Sequence, residues 1–230
     1  MLRQLACWLT AIGTTAALAS CAYLSPPVTF DPNVGRQPVA CTQILEGKLL
    51  QFPFGQLGLE ETALWIQETY GIAPEKVLAT TGASYLRWKE GSRTFSTAVY
   101  PAEQTKAISV EQADNPPIVE EVLKCFGEPS YVYAYYDPTP DGPMYTVLQL
   151  WYTGMGVEFG SYVPAQLDVV DPQMPISGVS YSRPGPLSEM ILARYEAEPE
   201  SDEFHRILGR VKPWPGDLDG IVIDDAPYAP

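Results

Sequence analysis

Apolar residues recur at spacings of three and four between positions 59 and 70. Leu59, Ala63, Ile66 and Tyr70 share one face, and Leu64 and Trp65 widen it. Glu60 and Glu61 fall in the first turn, where the helix dipole favours negative charge, and Gly71 offers a stop. The pattern predicts a helix over 59–70. A second, short helix is expected over 74–79, with Pro74 at its first position. The period then changes. Residues 84–89 and 94–100 are short aromatic and β-branched runs around Glu90-Gly91-Ser92, which is a hairpin signal. Pro116 and Pro117 open a further helical run over 118–126. Ile118, Val122, Cys125 and Phe126 share its apolar face, Glu120, Glu121 and Lys124 lie mostly opposite, and Gly127 and Pro129 end it.

Three strands are expected next, over 131–136, 145–152 and 157–162. They are separated by an Asp-, Pro- and Gly-rich turn over 137–143 and a tight one over 153–156. Val147, Gln149 and Trp151 alternate with Leu148, Leu150 and Tyr152, so both faces carry bulk, as in a central strand covered on both sides or a strongly twisted one. A strand over 176–181, helices over 187–197 and 204–211, and a short last strand or tail over 221–223 complete the reading. The order predicts an α+β fold, with short helices packed on antiparallel sheet.

The first twenty residues read as a targeting segment. Arg3 gives a positive start, and residues 5–18 are largely apolar and end in small side chains. The stretch is shorter than the ~20 apolar residues a membrane span needs. Residues 21–39 hold Pro26, Pro27, Pro32 and Pro38 with few periodic apolar positions, and are expected to form an extended, solvated tether. The folded domain is then 40–230, with 40–114 and 115–230 as candidate halves. The run Leu18-Ala19-Ser20-Cys21 resembles the bacterial lipobox. That resemblance implies that Cys21 is lipidated and becomes the new N-terminus; an ordinary secretory signal cut nearby is the alternative. Each buried methylene of acyl chains such as palmitate contributes about 0.8 kcal/mol to membrane attachment. Ala22 stands where an aspartate commonly marks inner-membrane retention in diderm bacteria. The expected location is outside the cytoplasm, anchored to the cell membrane or outer membrane.

Composition narrows the function classes. The chain has 230 residues, of which 46% are hydrophobic and 18% charged, enough for a core. Asp and Glu outnumber Lys and Arg 28 to 14, giving a net charge of -14. Nucleic-acid binding is not expected, because neutralising phosphates needs a basic surface. With 23 prolines a mostly helical bundle is also not expected, since proline removes a backbone donor. Of the four cysteines, Cys7 leaves with the signal and Cys21 carries lipid. Cys41 and Cys125 remain, either as a disulfide, permitted in an exported compartment, or as two buried thiols. A bridge closing so long a loop would contribute about 4 kcal/mol.

The stretch from Val119 through Phe126-Gly127-Glu128-Pro129 to Tyr131, followed by aromatic strands to Phe159, resembles a motif of the SmpA/OmlA (BamE-like) group of envelope lipoproteins. There a helix ends in Leu-Gly-x-Pro and runs into strands that begin with an aromatic residue. β-lactamase-inhibitor-like domains share the helix-then-sheet plan, sometimes in two copies. The resemblance implies one or two such units and non-catalytic binding in the envelope; it carries no functional residue over.

Residue by residue, the chemistry is sparse. His205 is the only histidine and sits in a charged helical stretch, and Gly178-Val179-Ser180-Tyr181-Ser182 lacks the closing glycine of a nucleophile elbow. Asp217, Asp219, Asp224 and Asp225 match only part of a calcium loop, with Ile221 at its fifth position. Glu196, Glu198, Glu200, Asp202 and Glu203 read as a solvated loop and helix start; a general acid and base for sugar hydrolysis is the sharper alternative. No metal or cofactor is expected. Tyr131, Tyr133 and Tyr135 share one strand face, with Trp151 and other aromatics nearby. Two readings stand for them, cross-strand packing or a binding face. The expected function is a non-catalytic, lipid-anchored envelope protein whose partners are the membrane and another protein or envelope component. The alternative is a carboxylate-dependent hydrolase acting on glycans.

Overall fold

The computed structural model describes residues 37–78, 83–99, 103–112, 114–138, 144–195 and 199–224. The expected targeting segment, Cys21 and most of the expected tether lie outside the described residues. The elements are, in chain order, α1 (Cys41–Ile44), a 3-10 turn (Leu49–Gln51), α2 (Leu59–Tyr70), β1 (Glu75–Leu78), β2 (Ser84–Glu90), β3 (Arg93–Val99), β4 (Ala107–Gln112), α3 (Val119–Phe126), β5 (Tyr131–Pro138), β6 (Met144–Tyr152), β7 (Val157–Val163), β8 (Gly178–Ser182), α4 (Leu187–Tyr195), α5 (Asp202–Arg210), β9 (Lys212–Pro213) and β10 (Ile223–Asp224). The class is α+β, with one large sheet and a few short helices.

Among the described residues the sheet has ten strands, in the order β1-β2-β3-β4-β8-β7-β6-β5-β10, with β9 also on β5. Every pairing is antiparallel except β10 on β5. The order describes two four-stranded meanders, each preceded by a helix. Their fourth strands, β4 and β8, pair with one another from Ala107↔Ser182 to Glu111↔Gly178. The backbone ladder therefore runs without a break from one candidate half into the other.

The helix expected at 59–70 forms over those residues. Glu61 accepts a hydrogen bond from the Gly58 N–H at 2.8 Å, and Gly71 closes the helix in the left-handed region at φ 69°. The helix expected at 74–79 is instead strand β1. Its four residues are all exposed, so a helix there would have no apolar face to bury, while the β2 ladder satisfies its backbone from Glu75↔Arg87 to Leu78↔Ser84. Strand β4 was not expected. Its signal was there, since Ile108 and Val110 are buried while Ser109 and Glu111 are not.

One face of the sheet, the inner face, carries a continuous apolar cluster. Leu86, Trp88, Phe95, Ile108 and Val110 of the first meander join Val132, Leu148, Leu150, Val157 and Phe159 of the second. Ile44, Leu49, Phe52, Phe54 and Ile66, from the chain between α1 and α2, cover this cluster together with Val119 and Val122 of α3. On the outer face, the second meander is covered by α4 and α5. Met190, Ile191, Phe204 and Ile207 pack there against β5 and β6. Strand β6 is thus buried on both sides from Thr146 to Tyr152, as its double-sided bulk predicts.

Candidate functional site

The aromatic strand face lies inside the molecule. Tyr133 is 3%, Tyr135 8% and Trp151 0% exposed, under α4 and α5, and half-buried Tyr131 packs at the same cluster. The Tyr133 and Tyr135 rings stack with centroids 4.6 Å apart. Burial pushes the Tyr135 hydroxyl well above its ordinary pKa, with Tyr162 and Tyr195 adding to the effect. This corrects the binding-face reading. Alternation placed these side chains together, and the two later helices then closed over them.

Of the two alternatives for Cys41 and Cys125, the disulfide forms. Cys41 of α1 is bonded to Cys125 of α3 across 84 residues of sequence. The incoming chain is held twice more beside that bridge. The Val39 N–H donates to Glu121 Oε1 at 3.1 Å, and Asn115 Nδ2 donates to the Gln37 carbonyl at 3.2 Å. Glu121 also accepts from the Ile118 N–H through Oε2 at 3.2 Å. One carboxylate therefore serves the start of α3, where the dipole favours it, and the chain segment arriving from the N-terminal side. The sequence marked Glu121 only as a polar position of the helix. Further on, Arg93 pairs with Glu46 at 3.1 Å and donates to the Gln43 carbonyl at 2.6 Å. Residues 37–57 are thereby strapped across the inner face.

A polar pin fastens α4 to the sheet. Arg194 Nε donates to Glu158 Oε2 at 2.8 Å, with the Glu158 side chain 3% and the Arg194 side chain 29% exposed. Burial alone would weaken the Arg194 charge, but the Glu158 carboxylate more than offsets it and holds the guanidinium protonated. Beside it the Tyr195 hydroxyl donates to Gln149 Oε1 at 2.9 Å and accepts from Nε2 at 2.6 Å in alternative arrangements. The Tyr195 hydroxyl is pushed well up by burial and then by Glu158, so it stays neutral. Gly160 is opposite Gln149 in the ladder, between Glu158 and Tyr162. These groups satisfy one another, which is the arrangement of a packing network.

An open cleft lies at the end of the sheet. It holds about 190 Å³, between Leu49–Phe54 on one side and Met155, Gly156 and Arg183 on the other. Gly156 makes the close approach at its base: φ is +68°, and a Cβ there would collide with the Ser182 carbonyl oxygen. The volume is below the ~300–1,000 Å³ of common small-molecule sites, and the lining mixes polar and apolar groups.

The other sequence candidates are dispersed. His205 is exposed on α5 with its ring edge-on to Phe204. Ser180 meets Ser109, their hydroxyl oxygens 3.0 Å apart, across the β4–β8 pair. Asp217 accepts from the Gly220 N–H at 2.8 Å, a local turn, and Asp224 belongs to β10 while Asp225 lies outside the described residues. Glu200 is exposed, and Asp202 and Glu203 occupy the first turn of α5, whose start is capped by Ser201 Oγ accepting from the Phe204 N–H. Glu196 and Glu198 lie outside the described residues. Among the described residues no three His, Cys, Asp or Glu side chains gather to hold a metal, and no helix is long and apolar enough to cross a membrane.

No family model matches the chain, and no curated protein matches it. A solved structure with some likeness is that of a cysteine-rich secretory protein from Staphylococcus aureus subsp. aureus Mu50. It has a TM-score of 0.31 and 11% identity over 57% of this chain and 48% of that one, so the match spans about half of that protein. A likeness of this degree carries no argument about activity.

Proposed function

We propose that this chain is a membrane-anchored envelope lipoprotein that binds another protein or an envelope component and performs no chemistry on it. The reading is carried by the Leu18-Ala19-Ser20-Cys21 run together with the way the chain enters the domain. Cys41, bonded to Cys125 and flanked by the Val39–Glu121 hydrogen bond, fixes the point at which the chain enters the domain. The chain between Cys21 and Cys41 can span at most roughly 70 Å, enough to hold the domain clear of a membrane surface.

The two helix-plus-meander blocks are read as two units of the BamE-like or β-lactamase-inhibitor-like plan. Support comes from α2 preceding β1–β4, α3 preceding β5–β8, and Phe126-Gly127-Glu128-Pro129 standing at the helix-to-strand turn. Gly127 has φ 72° there, and its carbonyl accepts from the Tyr152 hydroxyl at 2.8 Å, tying the end of α3 to β6.

Co-purification from mildly solubilised native membranes, with a C-terminal tag and a Cys21→Ser control, tests the function. One stoichiometric partner, lost in the control, is the expected result. A wild-type chain found in the soluble fraction, or alone in the membrane, overturns the anchored-binder reading.

A further inference from the structure

The outer face of the second meander is sealed under α4 and α5, but its strands run past the end of α4. Tyr195, the last residue of that helix, bonds Gln149, which stands opposite Tyr133 in the ladder. Four residues further along β5, Asp137 stands opposite Tyr145. By alternation Asp137 shares its face with Tyr133 and Tyr135. One row back, Val147 separates Tyr135 from Tyr162 of β7. Asp137 and Tyr145 are half-buried, Tyr135 is 8% exposed and Tyr162 39%, so solvent reaches this corner.

Two polar groups here lack partners among the described residues. Burial raises the Asp137 carboxyl above its ordinary pKa, and no charge or hydrogen bond offsets that effect. The Tyr135 hydroxyl makes no hydrogen bond. After burial, the groups that act on it are Tyr162, Tyr195 and Asp137, which places it in the same corner. The nearby cations are engaged elsewhere. Arg194 is held by Glu158, and Arg206 and Arg210 act on Tyr133 rather than on Asp137. Residues 139–143 and 196–198 include no Lys or Arg.

A desolvated carboxylate and a phenol without partners cost free energy that a bound donor recovers. Both oxygens accept hydrogen bonds, and tyrosine rings attract cations. A neutral sugar could serve the hydroxyl but would leave the Asp137 charge unanswered. We propose that Asp137 and Tyr135, with the rings of Tyr145 and Tyr162, form a site for a primary ammonium group, carried by a small amine or by an ethanolamine headgroup. The ammonium donates one N–H to an Asp137 carboxylate oxygen and another to the Tyr135 hydroxyl oxygen. The site goes beyond the envelope-binding reading and does not depend on it.

The test titrates n-butylammonium chloride against the full-length chain in detergent and follows saturation transfer to the amine by NMR. Saturable binding is expected, with a Kd of about 1 mM. Asp137→Asn should weaken it about tenfold or more, and Tyr135→Phe, which keeps the ring, about threefold. Tetramethylammonium, which has the charge but no N–H, should bind about fivefold more weakly. Glu111→Gln, at an exposed carboxylate on β4, should leave binding unchanged. Denaturation curves check that the variants fold. Tighter binding of glycerophosphoethanolamine than of n-butylammonium would support the site and assign it to a headgroup. Equal or weaker binding would support it and assign it to free amines. The proposal is overturned by no saturable transfer from n-butylammonium, by unchanged binding in Asp137→Asn, or by an equal loss in Glu111→Gln, which would reflect only the acidity of the whole chain. Saturable binding of glucose without binding of the amine would assign the corner to a neutral ligand and overturn it too.

Discussion

The outer face of the sheet is built in two manners. Across β2, β3 and β4 it carries Arg87, Lys89, Thr94, Ser96, Ser109 and Glu111, all half-buried or exposed. Across β5 and β6 it carries Tyr133, Tyr135, Val147 and Trp151, all buried beneath α4 and α5. The inner face shows no such contrast, since both meanders contribute to one apolar cluster there. A meander thus needs one apolar face to belong to this sheet, and the second face is free to follow whatever the rest of the chain lays on it. In the second meander that is a pair of C-terminal helices, so the aromatic face became core. In the first, no described helix lies over it, and small hydroxyl and charged side chains suit a face only half-buried or exposed.

Substitutions that act unequally on the two faces sharpen this contrast. Trp151→Ala should cost about 3–5 kcal/mol, because the indole is fully buried between β6 and the C-terminal helices. A urea midpoint close to wild type would show that α4 and α5 do not seal that face. Removing the bridge by Cys41→Ser/Cys125→Ser should cost about 4 kcal/mol through the loop it closes, and the loss should match that of wild type under reductant. Arg194→Met leaves Glu158 buried without its partner. With the guanidinium partly exposed, the loss should be about 2 kcal/mol, and adding Glu158→Gln should recover part of it in a double-mutant cycle. Ser201→Ala, which removes the cap of α5, should cost about 1 kcal/mol. On the open face, Ser96→Ala should stay within about 0.5 kcal/mol of wild type, and a larger loss would mean that something covers that face as well.

Legibility in the sequence followed the strength of local periodicity. The helix at 59–70 and the run 118–126 carry apolar faces of the right period between recognisable stops, and both became helices. The hairpin around Gly91 was equally plain; Gly91 takes φ +61° in its turn. At 74–79 a proline start stood in for a periodic face, and the ladder to β2 won. The site candidates were less legible. Period two grouped Tyr131, Tyr133 and Tyr135 but is silent about what lies above them. Glu121 read as a solvent position, because its bond to Val39 joins residues 82 apart in sequence.

The sequence by itself determined the α+β class, most strands and the main helices, because these depend on local periods and stops; for Cys41 and Cys125 it left a bridge and two thiols both open. Tertiary structure alone decided that β4 meets β8, that α4 and α5 bury one aromatic face, and that β5 carries β9 and β10 while β1, among the described residues, pairs only with β2. Those outcomes rest on contacts between distant parts of the chain, and a residue's local pattern states which side chains share a face but not which element comes to rest upon it.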